Sequence, residues 1–143
     1  MPKKKFYYVK FPILDERGNK IDEVARPIIE IILNYKHGRM IGPIGVLIDS
    51  GADFNLFPSV IGVAMGINIK KGKKLSTFGI SGESLTTYRH SSIRVFVEGN
   101  NFETFIEFGE EYKGIPILGQ QGFFDKFKKI TLSRVKEEIV LEF

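Results

Sequence analysis

The sequence predicts an all-β domain of sandwich or barrel type, and three observations carry that prediction. Its 143 residues include 13 Phe and five Tyr among many Ile and Val, residue types that suit a pleated, half-buried surface. Fifteen Gly punctuate the chain at short intervals. A helical start and stop signal is clear at one place alone. A chain of this length fits a single domain, residues 1–143, and buries about two-thirds of the surface its unfolded form exposes.

Taken in order, residues 5–14 form a first strand, closed by Asp15-Glu16-Arg17-Gly18. Residues 26–35 form a second, closed by Lys36-His37-Gly38-Arg39, and residues 40–48 return from that turn to end at Asp49. Pro58 and Ser59 then open a helix whose apolar face is residues 60–65, and Gly66 stops it. Residues 73–78 and 84–97 flank Gly79-Ile80-Ser81-Gly82 as a long hairpin with a glycine-rich tip. Strands over 102–108, 130–132 and 136–142 complete the set, with a short helical turn over 121–127. There are no internal repeats or linkers.

Composition excludes several functions. No stretch approaches the roughly 18 apolar residues needed to cross a bilayer, so no membrane partner is expected. Met1-Pro2-Lys3-Lys4-Lys5 is basic like a leader, but Lys10 interrupts before an apolar region develops, which reads as an unexported, cytoplasmic chain. With no Cys, disulfides and thiol chemistry are out. The net charge of +4 invites a nucleic-acid reading, yet acidic residues are interspersed and no aromatic recognition motif accompanies the lysines, so solvated loops explain them better.

Familiar catalytic motifs fail one by one. His37 and His90 lack metal-ligand spacing, so neither metal nor other cofactor is expected. Gly79-Ile80-Ser81-Gly82-Glu83 lacks the last glycine of a serine-hydrolase elbow. Gly66 to Lys74 is spaced one residue too long for a phosphate loop, and no Ser or Thr follows the lysine. Carboxylate chemistry is left. Two carboxylates sharing one proton can hydrolyse a peptide bond, one activating water and the other donating to the carbonyl.

Val46-Leu47-Ile48 runs directly into Asp49-Ser50-Gly51-Ala52, which taken alone is also ordinary strand-stop chemistry. In company it is more. The stretch resembles the active-site turn of the retropepsin-like aspartic proteases; Gly79-Ile80-Ser81-Gly82 resembles their flap; and Ile117-Leu118-Gly119 resembles the apolar-apolar-Gly signature beneath the turn. The resemblance is strongest over residues 26–143. It implies a closed, barrel-like acid-protease fold with one or two short helices and a flap hairpin.

Function follows from the resemblance as expectation. Asp49 would be the catalytic acid, Ser50 would tie two such turns together, and Gly51 would let substrate backbone pass close. Ala52, Asp53, the flap residues Gly79, Ile80, Ser81 and Gly82, and Ile117 would contact substrate, with Phe78 and Ile80 as further pocket candidates. Asp53 serves equally well as a local turn brace. Gln120-Gln121 depart from the family pattern, in which the position after the glycine carries a residue able to form an ion pair with Asp53. One Asp-Ser-Gly per chain implies a two-fold homodimer that binds an extended peptide, with residues 139–143 and 5–9 as interface strands that would otherwise be open edges. A non-catalytic peptide-binding or dimerisation module with the same fold is the alternative.

Overall fold

The computed structural model describes residues 2–78 and 82–143. In chain order the strands are Lys3–Tyr7 (β1), Val9–Leu14 (β2), Lys20–Arg26 (β3), Ile28–Tyr35 (β4), Ile41–Ile48 (β5), Leu56–Pro58 (β6), Lys73–Phe78 (β7), Ser84–Val97 (β8), Asn100–Gly109 (β9), Ile117–Leu118 (β10), Lys129–Ser133 (β11) and Glu138–Glu142 (β12). One helix, α1, spans Ser59–Ala64. Single 3-10 turns occur at Ile69–Lys71 and Phe124–Lys126.

Hydrogen bonding runs β4-β5-β10-β6-β9-β8-β7, and β4 also pairs with β8, so six of these strands close a barrel with β7 added outside the circuit. Closure removes the open edges that an isolated sheet would present. Inside lie Ile29, Ile31 and Leu33 of β4, Val46 and Ile48 of β5, Ile93, Val95 and Val97 of β8, and Ile106 and Phe108 of β9, all buried. Each such side chain contributes about 1.5–3 kcal/mol on leaving water.

The expected first strand is two. β1 pairs with β12, β2 pairs with β3, and the chain changes partner at Tyr8, whose N–H donates to Glu137 O at 2.9 Å. The turn between β2 and β3 is the one read from sequence: Asp15 Oδ1 accepts from the N–H groups of Arg17 and Asn19, each at 2.9 Å, and Gly18 takes φ +85. Its second arm escaped notice because β3 is largely exposed and charged. The expected strand over 26–35 begins at Ile28, after Pro27, whose carbonyl accepts from Ile48 N.

The C-terminal strand corrects a second expectation. β12 is not an open edge: β1 takes one side, β11 the other, and Ile139 and Leu141 are fully buried. A cluster of Phe102, Phe123, Phe127 and Phe143 rings, with neighbouring centroids 4.9–5.9 Å apart, joins this sheet to the barrel. α1 ends as expected, with Gly66 at φ +87 just beyond it. No helix among the described residues is long and apolar enough to cross a membrane.

Candidate active site

β5 delivers Asp49 half-buried to the end of the barrel, and the turn that follows is held from three sides. Asp49 N donates to Leu118 O at 3.0 Å, its Oδ1 accepts from Gly51 N at 2.9 Å, and its carbonyl accepts from Ala52 N at 3.1 Å. Beneath it, β10 runs parallel to β5 with Leu118 opposite Ile48. Gly119 is required here by contact: a Cβ would lie 2.5 Å from Phe54 O and 2.7 Å from Ala52 O. The Ile117-Leu118-Gly119 signature thus packs against the turn as the resemblance implied.

Gln120 takes part where an ion pair was expected to be missing. Its Nε2 donates to Ser50 O at 2.8 Å, its N–H to Ala52 O at 2.8 Å, and Gln121 N–H donates to Asp53 O at 2.9 Å. A neutral amide and two backbone groups therefore brace the turn. Fully buried Asn55 adds a cross-brace, donating from Nδ2 to Phe105 O at 2.9 Å and accepting Gly119 N on Oδ1 at 3.0 Å. Sequence reasoning passed over Asn55, although a lone amide in the run Phe54-Asn55-Leu56-Phe57 is the kind of buried polar group that must find partners.

Asp49 opens onto a cleft of about 840 Å³, also lined by Gly51, Ala52, Asp53, Phe78 and Ile117. Phe78 is 70% exposed and stands at the end of β7, and Leu75 and Leu85 continue the apolar lining. The structure thus gathers Asp49, Gly51, Ala52, Asp53 and Ile117 around one cavity, with Ser50 exposed on the turn itself. Gly82, at φ +82, is exposed at the foot of the second hairpin arm. Gly79, Ile80 and Ser81, expected at the flap tip, lie outside the described residues.

Tyr112 was not singled out from sequence. It lines the same cleft, its hydroxyl donates to Ile115 O, and Gly109 and Gly114 make room for it, since a Cβ at Gly114 would sit 2.7 Å from the phenol oxygen. Burial raises the Tyr112 pKa above its ordinary value, and the Asp49 charge raises it further. Arg89 and Glu107, which line the same cleft, form an ion pair of 2.7 Å. Nothing in the local sequence marks these two, because they meet only through the pairing of β8 with β9.

The remaining candidates lie elsewhere. His37 is an exposed turn residue at φ +60, and His90 hydrogen-bonds Ile69 O through Nε2 at 2.8 Å. Among the described residues no three His, Cys, Asp or Glu gather where they could hold a metal ion.

No family model and no curated protein matches the sequence. Solved structures do. EIAV protease, complexed with the inhibitor HBY-793, superposes with a TM-score of 0.50 over 66% of this chain and 81% of its own, at 21% identity. A retropepsin-like aspartic protease from Rickettsia conorii superposes with a TM-score of 0.57 over 99% of this chain and 94% of its own, at 15% identity. The second match takes in the first 25 residues, where the sequence resemblance was weak. The fold is the closed, all-β retropepsin-like fold.

Proposed function

We propose that this chain, built on the retropepsin-like fold, is an aspartic endopeptidase that acts as a homodimer, with one Asp49 carboxylate from each subunit. The observation that carries the reading is the position of Asp49, fixed by a braced turn at the mouth of a mainly apolar cleft. The sequence contains one Asp-Ser-Gly, so a two-fold axis through this turn is the economical source of the second acid.

Two carboxylates a few ångströms apart resist double ionisation, and the pair holds one proton. The ionised Asp49 takes a proton from water as its oxygen attacks the scissile carbonyl; the protonated Asp49 donates to the carbonyl oxygen. Return of a proton to the amide nitrogen then breaks the C–N bond. Gly51 N–H on Oδ1 orients the carboxylate, and the exposed Ser50 would reach with its hydroxyl to the turn of the second subunit. Leu75, Phe78, Leu85 and Ile117 favour an extended peptide with apolar side chains beside the cut.

The test is cleavage of an unbiased peptide library by the wild type and by Asp49→Asn between acidic and neutral pH. Cuts between hydrophobic residues, with a bell-shaped dependence centred in the acidic to mildly acidic range and loss of activity in the variant, are expected. Cuts that survive in folded Asp49→Asn, or an alkaline optimum, would sink the reading. Binding of peptides without any cleavage would leave the fold as a peptide clamp.

A further inference from the structure

We infer that Arg89, fixed by Glu107 in the wall of the Asp49 cleft, is a specificity-determining residue that selects a substrate side chain ending in a carboxamide, Asn or Gln. The inference rests on the peptide-binding part of the proposed function and is independent of hydrolysis.

Arg89 on β8 and Glu107 on β9 are direct cross-strand partners. Glu107 is 2% exposed, and its carboxylate is well supplied: Oε1 accepts from Thr77 Oγ1 at 2.9 Å and Thr87 Oγ1 at 3.0 Å, and Oε2 accepts from Arg89 Nη2 at 2.7 Å. Arg89 is the reverse. Of its five N–H groups one is bonded to Glu107, Nε is buried without an acceptor among the described residues, and the side chain remains 31% exposed. Its guanidinium lies over two rings, 4.8 Å from the centroid of Phe54 and 4.4 Å from that of Phe105.

The group is therefore held by one ionic hydrogen bond and two aromatic faces, while its unused capacity is purely that of a donor. An ion pair in such a wall is a poor source of stability compared with apolar residues of similar volume, but a good source of direction. A ligand that covers Arg89 without offering an acceptor strands its N–H groups away from water, so apolar side chains are disfavoured there. The lining charges choose among acceptors. Asp49, Asp53, Glu83 and Glu107 outnumber Arg89, and this excess of negative charge opposes a carboxylate. A carboxamide supplies the carbonyl oxygen without the charge.

The test uses ¹⁵N-labelled Asp49→Asn, in which bound peptides are not cut, and follows the Arg89 Nε–H signal, assigned by its loss in Arg89→Lys. Blocked apolar peptides carrying Asn, Gln, Leu, Asp or Lys at each position in turn are titrated. At one position Asn or Gln should bind about ten- to a hundredfold more tightly than Leu, move the Arg89 signal, and lose the advantage in Arg89→Lys. The titration of the Asp49→Asn parent stands without the second variant should Arg89→Lys fold poorly. Preference for Leu, Asp or Lys, an Asn preference that persists in folded Arg89→Lys, or no binding by any peptide would overturn the inference. Amide-selective binding by a wild type that cuts nothing would remove hydrolysis and leave the inference standing.

Discussion

At the scale of single residues, the cleft makes Asp49 visible through a neighbour. Tyr112 is held protonated first by burial and then by the charge on Asp49. In Asp49→Asn the second cause is gone while the first persists, so the Tyr112 pKa should fall part of the way toward its ordinary value. The measurement is ultraviolet absorbance against pH, with the Tyr112→Phe difference isolating this phenol; an unchanged pKa would mean that the two groups do not sense each other. Because the phenol is raised in the folded state, its contribution to stability is complete below the ordinary tyrosine pKa and is lost as pH rises through the folded value. Asp49 was singled out in the sequence through the company of the flap-like and Ile-Leu-Gly segments, since an apolar strand that ends on Asp-Ser-Gly is by itself ordinary strand-stop chemistry. Tyr112, Asn55 and the Arg89–Glu107 pair were not, because each acquires meaning from contacts that the linear order conceals, Asn55 with Gly119 being 64 residues apart. Gln120 shows the limit from the other side: a departure from the family pattern read as a lost brace, yet its amide donates to Ser50 O.

Elements carry the next level of the account. The turn after β5 depends on β10, a two-residue strand too short to show periodicity, and it was found through its Ile-Leu-Gly signature alone. Gly119→Ala tests that dependence, since the new methyl would overlap two backbone carbonyls that the turn cannot move independently. It should cost about 3 kcal/mol, seen as a lowered denaturation midpoint with unchanged slope; a variant as stable as the wild type would show that β10 does not hold the turn. Long strands with buried alternation, such as β4 and β8, could be read to within a few residues. The break between β1 and β2 could not, because the stretch from Lys5 to Leu14 reads as one strand and gives no sign that its halves bond to different partners. For the same reason the C-terminal segment looked like an edge: β11 is its hairpin neighbour, but β1, which takes its other side, comes from the opposite end of the chain.

At the scale of the molecule, the β4–β8 pairing closes the barrel and the Phe cluster fastens the terminal sheet to it, so the candidate site stands on a rigid frame. Overall topology was legible only by resemblance, since composition and alternation alone suit a sandwich as well as a barrel. The terminal sheet also bears on assembly: β12 is already paired on both sides, so a strand added to this sheet by a second subunit would have to pair with the outer edge of β1 or β11. The central claim is that the reacting centre is divided between two copies of the chain, one Asp49 from each. Mixing wild type with Asp49→Asn under conditions of subunit exchange, at constant total protein, tests it most directly. If each site needs two intact carboxylates, an equal mixture should retain about a quarter of the wild-type activity and follow the square of the wild-type fraction; a loss in simple proportion to that fraction would mean that each chain carries a complete site.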